Sequence, residues 1–203
     1  MFLRPGIDAH GLVRDPFKAL VAPRPIGWIA TLDADGRANL APSSFFNAVA
    51  EAPPMVAYAS NGEKTGRGGR KDTLANIRGR GEFVANVVSF ALREAMNATS
   101  APFPPDVDEF AAAGLDPLPC RLVAPPRVAG APAALECRLW RIIDLPGDAN
   151  HLVIGEVIGI HIDESAIADG RVDVTRYRPV ARLAGRDYTA VESVFSLLRP
   201  GPS

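Results

Sequence analysis

The stretch Arg24–Asn47, RPIGWIATLDADGRANLAPSSFFN, decides how the rest of the chain is interpreted. Its apolar segment, Ile26 to Leu32, predicts a strand. The tetrapeptide Asp33–Gly36 favours a tight turn, because Asp and Gly suit the backbone of hairpin turns. A second extended segment, Arg37 to Leu40, predicts the returning strand. The stretch therefore predicts an antiparallel hairpin whose second strand runs into the tail PSSFFN.

This tail packs two hydroxyls, two aromatic rings and a carboxamide together just after a proline, in the order Ser43, Ser44, Phe45, Phe46 and Asn47. Aromatic rings can cover the face of a flat cofactor, while hydroxyls and backbone amides satisfy its polar edge. The same residues also suit an ordinary hairpin whose rings belong to the core, since buried aromatic residues usually only pack. Both interpretations are open from the residues alone, and one of the two rings is expected in the core.

Composition is typical of a soluble globular chain. The 203 residues are 47% apolar and 22% charged, which suits one sizeable domain spanning residues 1–203. The net charge of -1 gives no electrostatic basis for a nucleic acid or a membrane as partner. The first fifteen residues carry charges and Pro-Gly where a signal peptide needs an apolar run. We therefore expect a cytoplasmic protein with neither kind of partner.

Cysteine and histidine give no sign of a metal or of a disulfide. Cys120 and Cys137 stand far apart without a CxxC motif, which indicates two inert thiols in a reducing compartment. His10, His151 and His161 lack the spacing of metal ligands, so no metal site is expected.

Strand signals dominate the chain, and the predicted helices are short insertions. Strands are predicted at Met55–Ser60, Phe83–Ser89, Leu135–Leu139 and His151–Ile162. The last of these is apolar at both alternating positions, so we expect it to be buried on both faces. Short helices are predicted near residues 72–78, 90–97 and 106–113, between an arm of about residues 1–23 and a tail of about residues 171–203. Propensity alone predicts a mainly β fold, either a barrel or a sandwich.

The loop Gly66–Thr73, GRGGRKDT, is the best candidate for binding an anion. Its glycines let backbone amides approach a ligand, Arg70 and Lys71 bring positive charge, and Asp72 or Thr73 is expected to cap a helix. A helix N-terminus beside a cation is a ready phosphate site. The loop matches neither the Walker A spacing nor GxGxxG. A solvated surface loop is the alternative interpretation.

Taken in order, these segments resemble the flavin reductase-like, FMN-binding split-barrel family. Besides the opening stretch, the resemblance is carried by MVAYAS (Met55–Ser60), GRKDTLANI (Gly69–Ile77), GEFVANVV (Gly81–Val88), EAMNATSAPFPPDVDEFAAAGL (Glu94–Leu115), ALECRL (Ala134–Leu139), HLVIGEV (His151–Val157) and LAGRDY (Leu183–Tyr188). The resemblance implies a six-stranded split barrel of Greek-key character that binds FMN. It also implies NAD(P)H as a co-substrate and a homodimer with the flavin site at its interface.

The resemblance further implies which residues hold the cofactor. It places the ribityl chain and ring edge along the PSSFFN tail, and the phosphate near the GRKDT loop and Ser60. Asn97 and Ser100 would lie at the mouth of the site, although by themselves they indicate only a helix C-terminus followed by a loop. Tyr188 would flank or stack on the ring, or alternatively pin the C-terminal tail. No catalytic residue is assigned.

One departure from the family concerns a histidine. Many of its flavin reductases carry Gly-Asp-His at the start of the strand that ends in Gly-Glu-Val, whereas here Asn150 occupies the expected position and His151 follows it. A shift of one residue on a strand turns a side chain to the opposite face. We therefore expect Asn150 to face the flavin and His151 to point away, which weakens the case for efficient NAD(P)H use.

The function that these features favour is an FMN-binding oxidoreductase of the flavin reductase type. It would transfer hydride from NAD(P)H to flavin and pass electrons to an acceptor, with no protein acid or base required. The alternatives are an FMN electron carrier reduced by a partner protein, and a non-catalytic flavin-binding module.

Overall fold

The computed structural model describes residues 1–63, 71–104 and 107–201 of the chain. The strands within these ranges are β1 Arg24–Pro25, β2 Gly27–Leu32, β3 Ala38–Ser43, β4 Phe46–Glu51, β5 Pro54–Ser60, β6 Glu82–Val87, β7 Pro117–Leu118, β8 Arg127–Val128, β9 Ala133–Asp144, β10 His151–Ile162, β11 Ile167–Ala168, β12 Arg171–Val172, β13 Val180–Arg182 and β14 Tyr188–Ala190. The α-helices are α1 Pro16–Leu20, α2 Asp72–Arg80, α3 Arg93–Ala98, α4 Glu109–Ala112 and α5 Val174–Tyr177. Across the described residues, none of these helices has the length and apolar character needed to span a membrane.

The architecture is dominated by one antiparallel sheet with the strand order β3-β2-β6-β9-β10-β5-β4. The predicted hairpin is present, because Gly27 pairs with Ser43 and Leu32 with Ala38 across the β2–β3 ladder. The mainly β fold with short helical insertions is therefore confirmed.

The sheet closes on itself through a bend between β3 and β4. Only Ser44 and Phe45 separate these two strands, so they form one extended segment whose first half pairs with β2 and whose second half pairs with β5. At the bend, the backbone N–H of Ala59 in β5 donates to the carbonyl of Phe45 over 2.8 Å. Counted as one bent strand, β3 and β4 bring the barrel to the six strands that the family resemblance implies.

Phe46 anchors the bend against β2. A Cβ atom at Gly27 would lie 2.5 Å from the Phe46 ring, so only glycine allows the ring to approach the strand so closely. Phe46 is the ring that packs against the core, beside buried Ile29 and Tyr58. The partly buried ring of Phe45 instead lies 5.7 Å from the guanidinium of Arg24. The expectation that one of the two rings joins the core is met by Phe46.

Two hydrophobic clusters fill the structure on the two faces of β2. Ile29 belongs to a cluster that includes Leu74 and Ile77 of α2. Trp28 belongs to a second cluster, which includes Met96 of α3 and Phe110 of α4. Because β2 is buried on both faces, it fixes the positions of α2 on one side and of α3 and α4 on the other.

Two expectations about individual segments need correction. The bounds of β10 match those predicted, but the second half of the strand is not buried on both faces. The relative solvent exposure is 60% for Ile160 and 42% for Ile162. The tail, expected to be irregular with a possible final strand, contains β12, α5 and β13 besides a final strand, β14, and β13 also pairs with β1 at the end of the N-terminal arm. Only the part after β14 has no regular structure among its described residues.

Candidate functional site

The start of α2 opens into a cavity of about 240 Å³, called here the helix-start cavity. It contains four of the residues predicted from sequence: Lys71, Asp72, Thr73 and Ser100. The remaining lining residues are Asn39, Ala41, Pro42, Thr99, Ala101, Pro102, Phe103 and Glu109. Helix α2, the strand that leads into the bend, and the loop after α3 thus converge on one small concave space.

The cap of α2 differs from the prediction. Lys71 is the N-cap residue, so the expected cap at Asp72 or Thr73 was wrong, and the Lys71 side chain makes no capping hydrogen bond. A nine-residue helix without a side-chain cap leaves first-turn N–H groups available for an anion. Asp72 in the first turn is half-buried. Arg70 and the glycines of the loop lie outside the described residues.

Lys71 supplies the positive charge of this cavity. Its side chain is exposed and forms no ion pair with any residue in the described part of the chain. Neighbouring protein atoms nevertheless desolvate the ammonium in part, which lowers the pKa of Lys71. A cation that has lost water without gaining a protein anion is well suited to an anionic ligand.

A hydrogen-bond network that sequence reasoning missed supports the cavity from behind. The Thr73 hydroxyl donates to Asn39 Oδ1 over 2.9 Å, so this hydroxyl is used within the protein. Asn39 Nδ2 in turn donates to Glu109 Oε1 over 2.7 Å, and the backbone N–H of Leu40 donates to the other carboxylate oxygen. Burial raises the pKa of Glu109, and these hydrogen bonds offset the rise only in part. Because Asn39 and Glu109 stand 70 positions apart, no local motif could reveal the pair.

The PSSFFN tail lies at the edge of the helix-start cavity. Pro42 lines that cavity, and the next residue, half-buried Ser43, donates from its hydroxyl to the Ala59 carbonyl over 3.4 Å. Ser44 is half-buried, and Ser60 is buried at the end of β5. The tail bonds to Ala59, the residue before Ser60, so the tail and Ser60 lie close together at the bend of the barrel.

Asn47 extends away from this group. It is exposed on β4, and its side-chain oxygen accepts a hydrogen bond from the backbone N–H of Ala48 over 2.9 Å. Asn47 does not line the helix-start cavity, so any role in holding a ligand there requires a contact from elsewhere.

A second, larger cavity of about 1130 Å³ is lined in part by α3 and is called here the tail cavity. It contains the two remaining predicted residues, Asn97 and Tyr188, together with Phe90, Arg93, Arg182 and Arg186. The Arg182 guanidinium lies 4.4 Å from the Tyr188 ring centroid and donates to its hydroxyl. Six of the predicted residues therefore line a cavity, four the helix-start cavity and two the tail cavity.

Residues at the end of α3 act as a cap, as their sequence alone indicated. The Ser100 hydroxyl donates to the Asn97 carbonyl over 2.6 Å. The buried Thr99 hydroxyl donates to the Met96 carbonyl and accepts from the indole N–H of Trp28, both over 2.8 Å. These bonds fix the C-terminal end of α3 to β2.

His151, which follows the position where the family carries its histidine, lines neither cavity. His151 Nδ1 is 2.7 Å from Asp144 Oδ1 and 3.3 Å from an Arg78 nitrogen, so the ring is held between β9 and α2. The Asn150 side chain donates to the Pro146 carbonyl over 3.0 Å and stabilises the β9–β10 turn instead of facing either cavity. The sequence prediction for Asn150 therefore needs correction, whereas the prediction that His151 points away from the flavin stays a prediction.

A closed antiparallel barrel with an anion-suited helix start at its bend defines the class of split-barrel flavoproteins. The chain belongs to the flavin reductase-like, FMN-binding split-barrel family: residues 20–180 match the flavin reductase like domain.

Solved structures agree with this membership. Nitrilotriacetate monooxygenase component B from Bacillus cereus is 32% identical with a TM-score of 0.87, and the match covers 97% of this chain and 98% of that one. The 2-nitrobenzoate 2-nitroreductase NbaA of Pseudomonas fluorescens is 33% identical with a TM-score of 0.81, covering 93% and 91%. Flavoredoxin of Desulfovibrio vulgaris is 25% identical with a TM-score of 0.77, covering 96% and 97%. The family resemblance read from the sequence is confirmed.

Proposed function

We propose that the protein is an FMN-binding oxidoreductase of the flavin reductase type that takes hydride from NAD(P)H and passes electrons to an acceptor. Family membership and the enzymes among its structural neighbours support this class of activity. Bound FMN supplies the redox chemistry, since its ring accepts hydride and releases electrons, and the protein supplies placement and electrostatics.

The observation that carries the proposal is the helix-start cavity. Lys71 and the uncapped first turn of α2 bind the FMN phosphate, because both offer positive charge without a competing side-chain cap or ion pair among the described residues. The cavity volume of about 240 Å³ falls below the roughly 300–1,000 Å³ of complete ligand pockets. The cavity would therefore hold the phosphate end of FMN, and the residues of the bend would hold the rest of the cofactor.

The bend then carries the remainder of the cofactor-binding residues. Ser43, Ser44 and Phe45 run from the cavity edge at Pro42, and Ser60 lies beside them at the end of β5. The further cofactor-binding residues in this proposal are Phe46, Asn47, Arg70, Asp72, Thr73, Asn97, Ser100 and Tyr188. Hydride transfer requires alignment more than proton transfer, so no protein acid or base is assigned.

A homodimer completes this site. Large apolar side chains are exposed on the barrel strands, among them Val49 of β4, Trp140 of β9 and Ile160 of β10, and the tail after β14 exposes Phe195 and Leu198. Exposed apolar surface of this extent is typical of a protein–protein interface. A second copy of the chain that packs against β4 would contact the exposed Asn47. It would also enclose the site at the bend, which is open in the single chain. We place this dimer in the cytoplasm, where Cys120 and Cys137 stay as thiols.

One observation favours a second candidate function, an FMN electron carrier reduced by a partner protein. His151 Nδ1 contacts Asp144 and Arg78, and the ring lines neither cavity, which argues against the role that the family's Gly-Asp-His residue would have toward NAD(P)H. The flavoredoxin neighbour is consistent with this alternative. A non-catalytic flavin-binding module is the third candidate.

The deciding experiment combines a flavin titration with anaerobic reduction. Purified protein mixed with FMN is expected to bind one FMN per chain. The absorbance of the bound flavin should then bleach when NADH or NADPH is added. Binding without bleaching, but with reduction by a partner reductase, would select the electron carrier. Binding without any enzymatic reduction would select the flavin-binding module, and a protein that binds no FMN would refute all three functions.

A further inference from the structure

Outside both cavities, three side chains of different chemistry converge on one point. Cys120 Sγ, a carboxylate oxygen of Glu136 and a ring nitrogen of His161 all lie within 4.8 Å of one another. They come from the loop after β7, from β9 and from β10, so the fold and not a sequence motif brings them together. From these residues we infer a zinc site in which thiolate, carboxylate and imidazole bind one Zn²⁺ and water takes the fourth position.

Glu136 is oriented as a ligating carboxylate would be. Its side chain is almost fully buried, and three successive backbone N–H groups donate to it, those of Arg121, Leu122 and Val123. Two of these bonds fall on Oε2 and one on Oε1, so the two oxygens together retain one free lone pair, on Oε1. That lone pair faces His161 Nε2, 2.5 Å away. Carboxylate ligands of metals are themselves held by hydrogen bonds in this way.

The same three hydrogen bonds also position the thiol. Cys120 immediately precedes the N–H donors, so the bonds that pin residues 121–123 to Glu136 hold Cys120 beside it. The thiol and the His161 ring are both partly exposed, so an ion can reach them from solvent. Zinc prefers such sulfur, nitrogen and oxygen donors.

A β-bulge in β10 places His161 on the correct face of the sheet. Cys137 pairs with Val157, but the next residue of β9, Glu136, pairs with Gly159, so Ile158 is the extra residue. Without it, His161 would lie opposite Ala133 and face away from Glu136. Bulges commonly re-aim a side chain in this way. A Cβ atom at Gly159 would lie 3.2 Å from Leu122, so glycine at this position leaves room for the loop that carries Cys120.

The distances suit a tetrahedral ion after a small adjustment. Donors at bond lengths of about 2.0–2.3 Å lie roughly 3.3–3.8 Å apart around zinc. The three donors here already lie within 4.8 Å, and the contact of 2.5 Å between Glu136 and His161 must open by about 1 Å as the ion replaces the shared proton. The competing explanation is a structural Glu136–His161 hydrogen bond with Cys120 nearby by chance.

Metal binding to the chelator-treated, tag-free protein tests the proposal. We expect one Zn²⁺ per chain by calorimetry, and we expect the Co²⁺ form to show the near-ultraviolet sulfur-to-cobalt charge-transfer band of a thiolate ligand. Cys120→Ala should abolish the band, and both Cys120→Ala and His161→Gln should weaken Zn²⁺ binding by at least about tenfold, since loss of even an outer partner costs about 10–100-fold. Gln retains an N–H donor for Glu136, so His161→Gln separates ligation from the hydrogen bond.

His10→Gln is the matched control, because it removes a histidine that takes no part in the cluster and should leave zinc affinity unchanged. No stoichiometric zinc binding, a Co²⁺ form without the charge-transfer band, or equal affinities in wild type, Cys120→Ala and His161→Gln would each overturn the site. If one variant fails to fold, the Co²⁺ spectrum of the wild type still decides the question. FMN binding is scored separately, because the cluster shares no lining residue with either cavity.

Discussion

Replacing Lys71 with Ala is the sharpest test of the phosphate site, because FMN and riboflavin differ only by the phosphate. A charge-assisted hydrogen bond contributes about 1.5–3 kcal/mol, which corresponds to roughly tenfold to hundredfold in affinity. The Lys71 side chain is exposed, and solvent screens exposed charges, so we expect a loss of FMN affinity of about tenfold, at the low end of this range. Riboflavin affinity should change by less than about twofold. Quenching of flavin fluorescence measures both dissociation constants.

The pH dependence of FMN affinity gives this prediction a second readout. Partial desolvation by neighbouring protein atoms disfavours the charged ammonium and lowers the pKa of Lys71, so rising pH neutralises this lysine before an ordinary one. FMN affinity of the wild type should therefore be complete at neutral pH and fall as the pH rises through the pKa of Lys71. The Lys71→Ala variant should lack this alkaline fall, and riboflavin should not show it with either protein.

Lys18→Ala is the matched control, since it removes the same charge from exposed helix α1. It should leave both dissociation constants unchanged. Thr73→Val should weaken FMN and riboflavin equally, because the Thr73 hydroxyl bonds to Asn39 and Thr73 would meet the phosphate only through its backbone N–H, which the substitution keeps. An equal loss of both flavins in Lys71→Ala would refute the reasoning and show that Lys71 only supports the loop.

Three further predictions concern assembly, the histidine and the buried carboxylate. Light scattering after size exclusion should give about twice the 21.5 kDa chain mass, and a flavin-loaded monomer would contradict the shared site. His151→Ala should leave FMN affinity and any NAD(P)H-driven reduction, followed by anaerobic stopped flow, within a few-fold of wild type, whereas loss of reduction would show that His151 reaches the flavin. Burial raises the pKa of Glu109, so the contribution of this group to stability is complete at acidic pH and is lost as the pH rises through that pKa. The melting temperature of Glu109→Gln minus that of wild type should therefore be more positive at pH 7 than at pH 4. An equal difference at both pH values would refute this.

Local chemistry made much of the fold predictable. The bounds of β10 follow directly from its β-branched apolar run, and the β2–β3 hairpin follows from the Asp-Gly turn. The exposure of Ile160 could not be predicted in the same way, because burial depends on which elements cover a strand. A pattern of apolar residues shows only that a face can be buried, and here part of that face is exposed in the single chain.

The candidate site was predictable where its residues are contiguous. Lys71 and Thr73 stand together in one charged, glycine-rich loop, so their sequence alone indicated an anion site. Asn39 and Glu109 were missed because their hydrogen bond forms only when β3 and α4 pack together. The prediction that Asn150 faces the site rests on the alternation of side chains along a strand. That alternation does not apply here, because Asn150 precedes β10 and bonds within the turn.

The bend between β3 and β4 also has a consequence for the order of folding. It joins two hairpins of sequence neighbours, β2–β3 and β4–β5, and isolated hairpins form within about 1–10 μs. The ladder between β5 and β10 instead pairs Ser60 with His151, so a loop of some 90 residues must close before it can form. We therefore expect Ser44 and Phe45 to acquire their bent conformation from local contacts early in folding. Closure of the barrel then follows as the slow step, around a cofactor-binding segment that is already shaped.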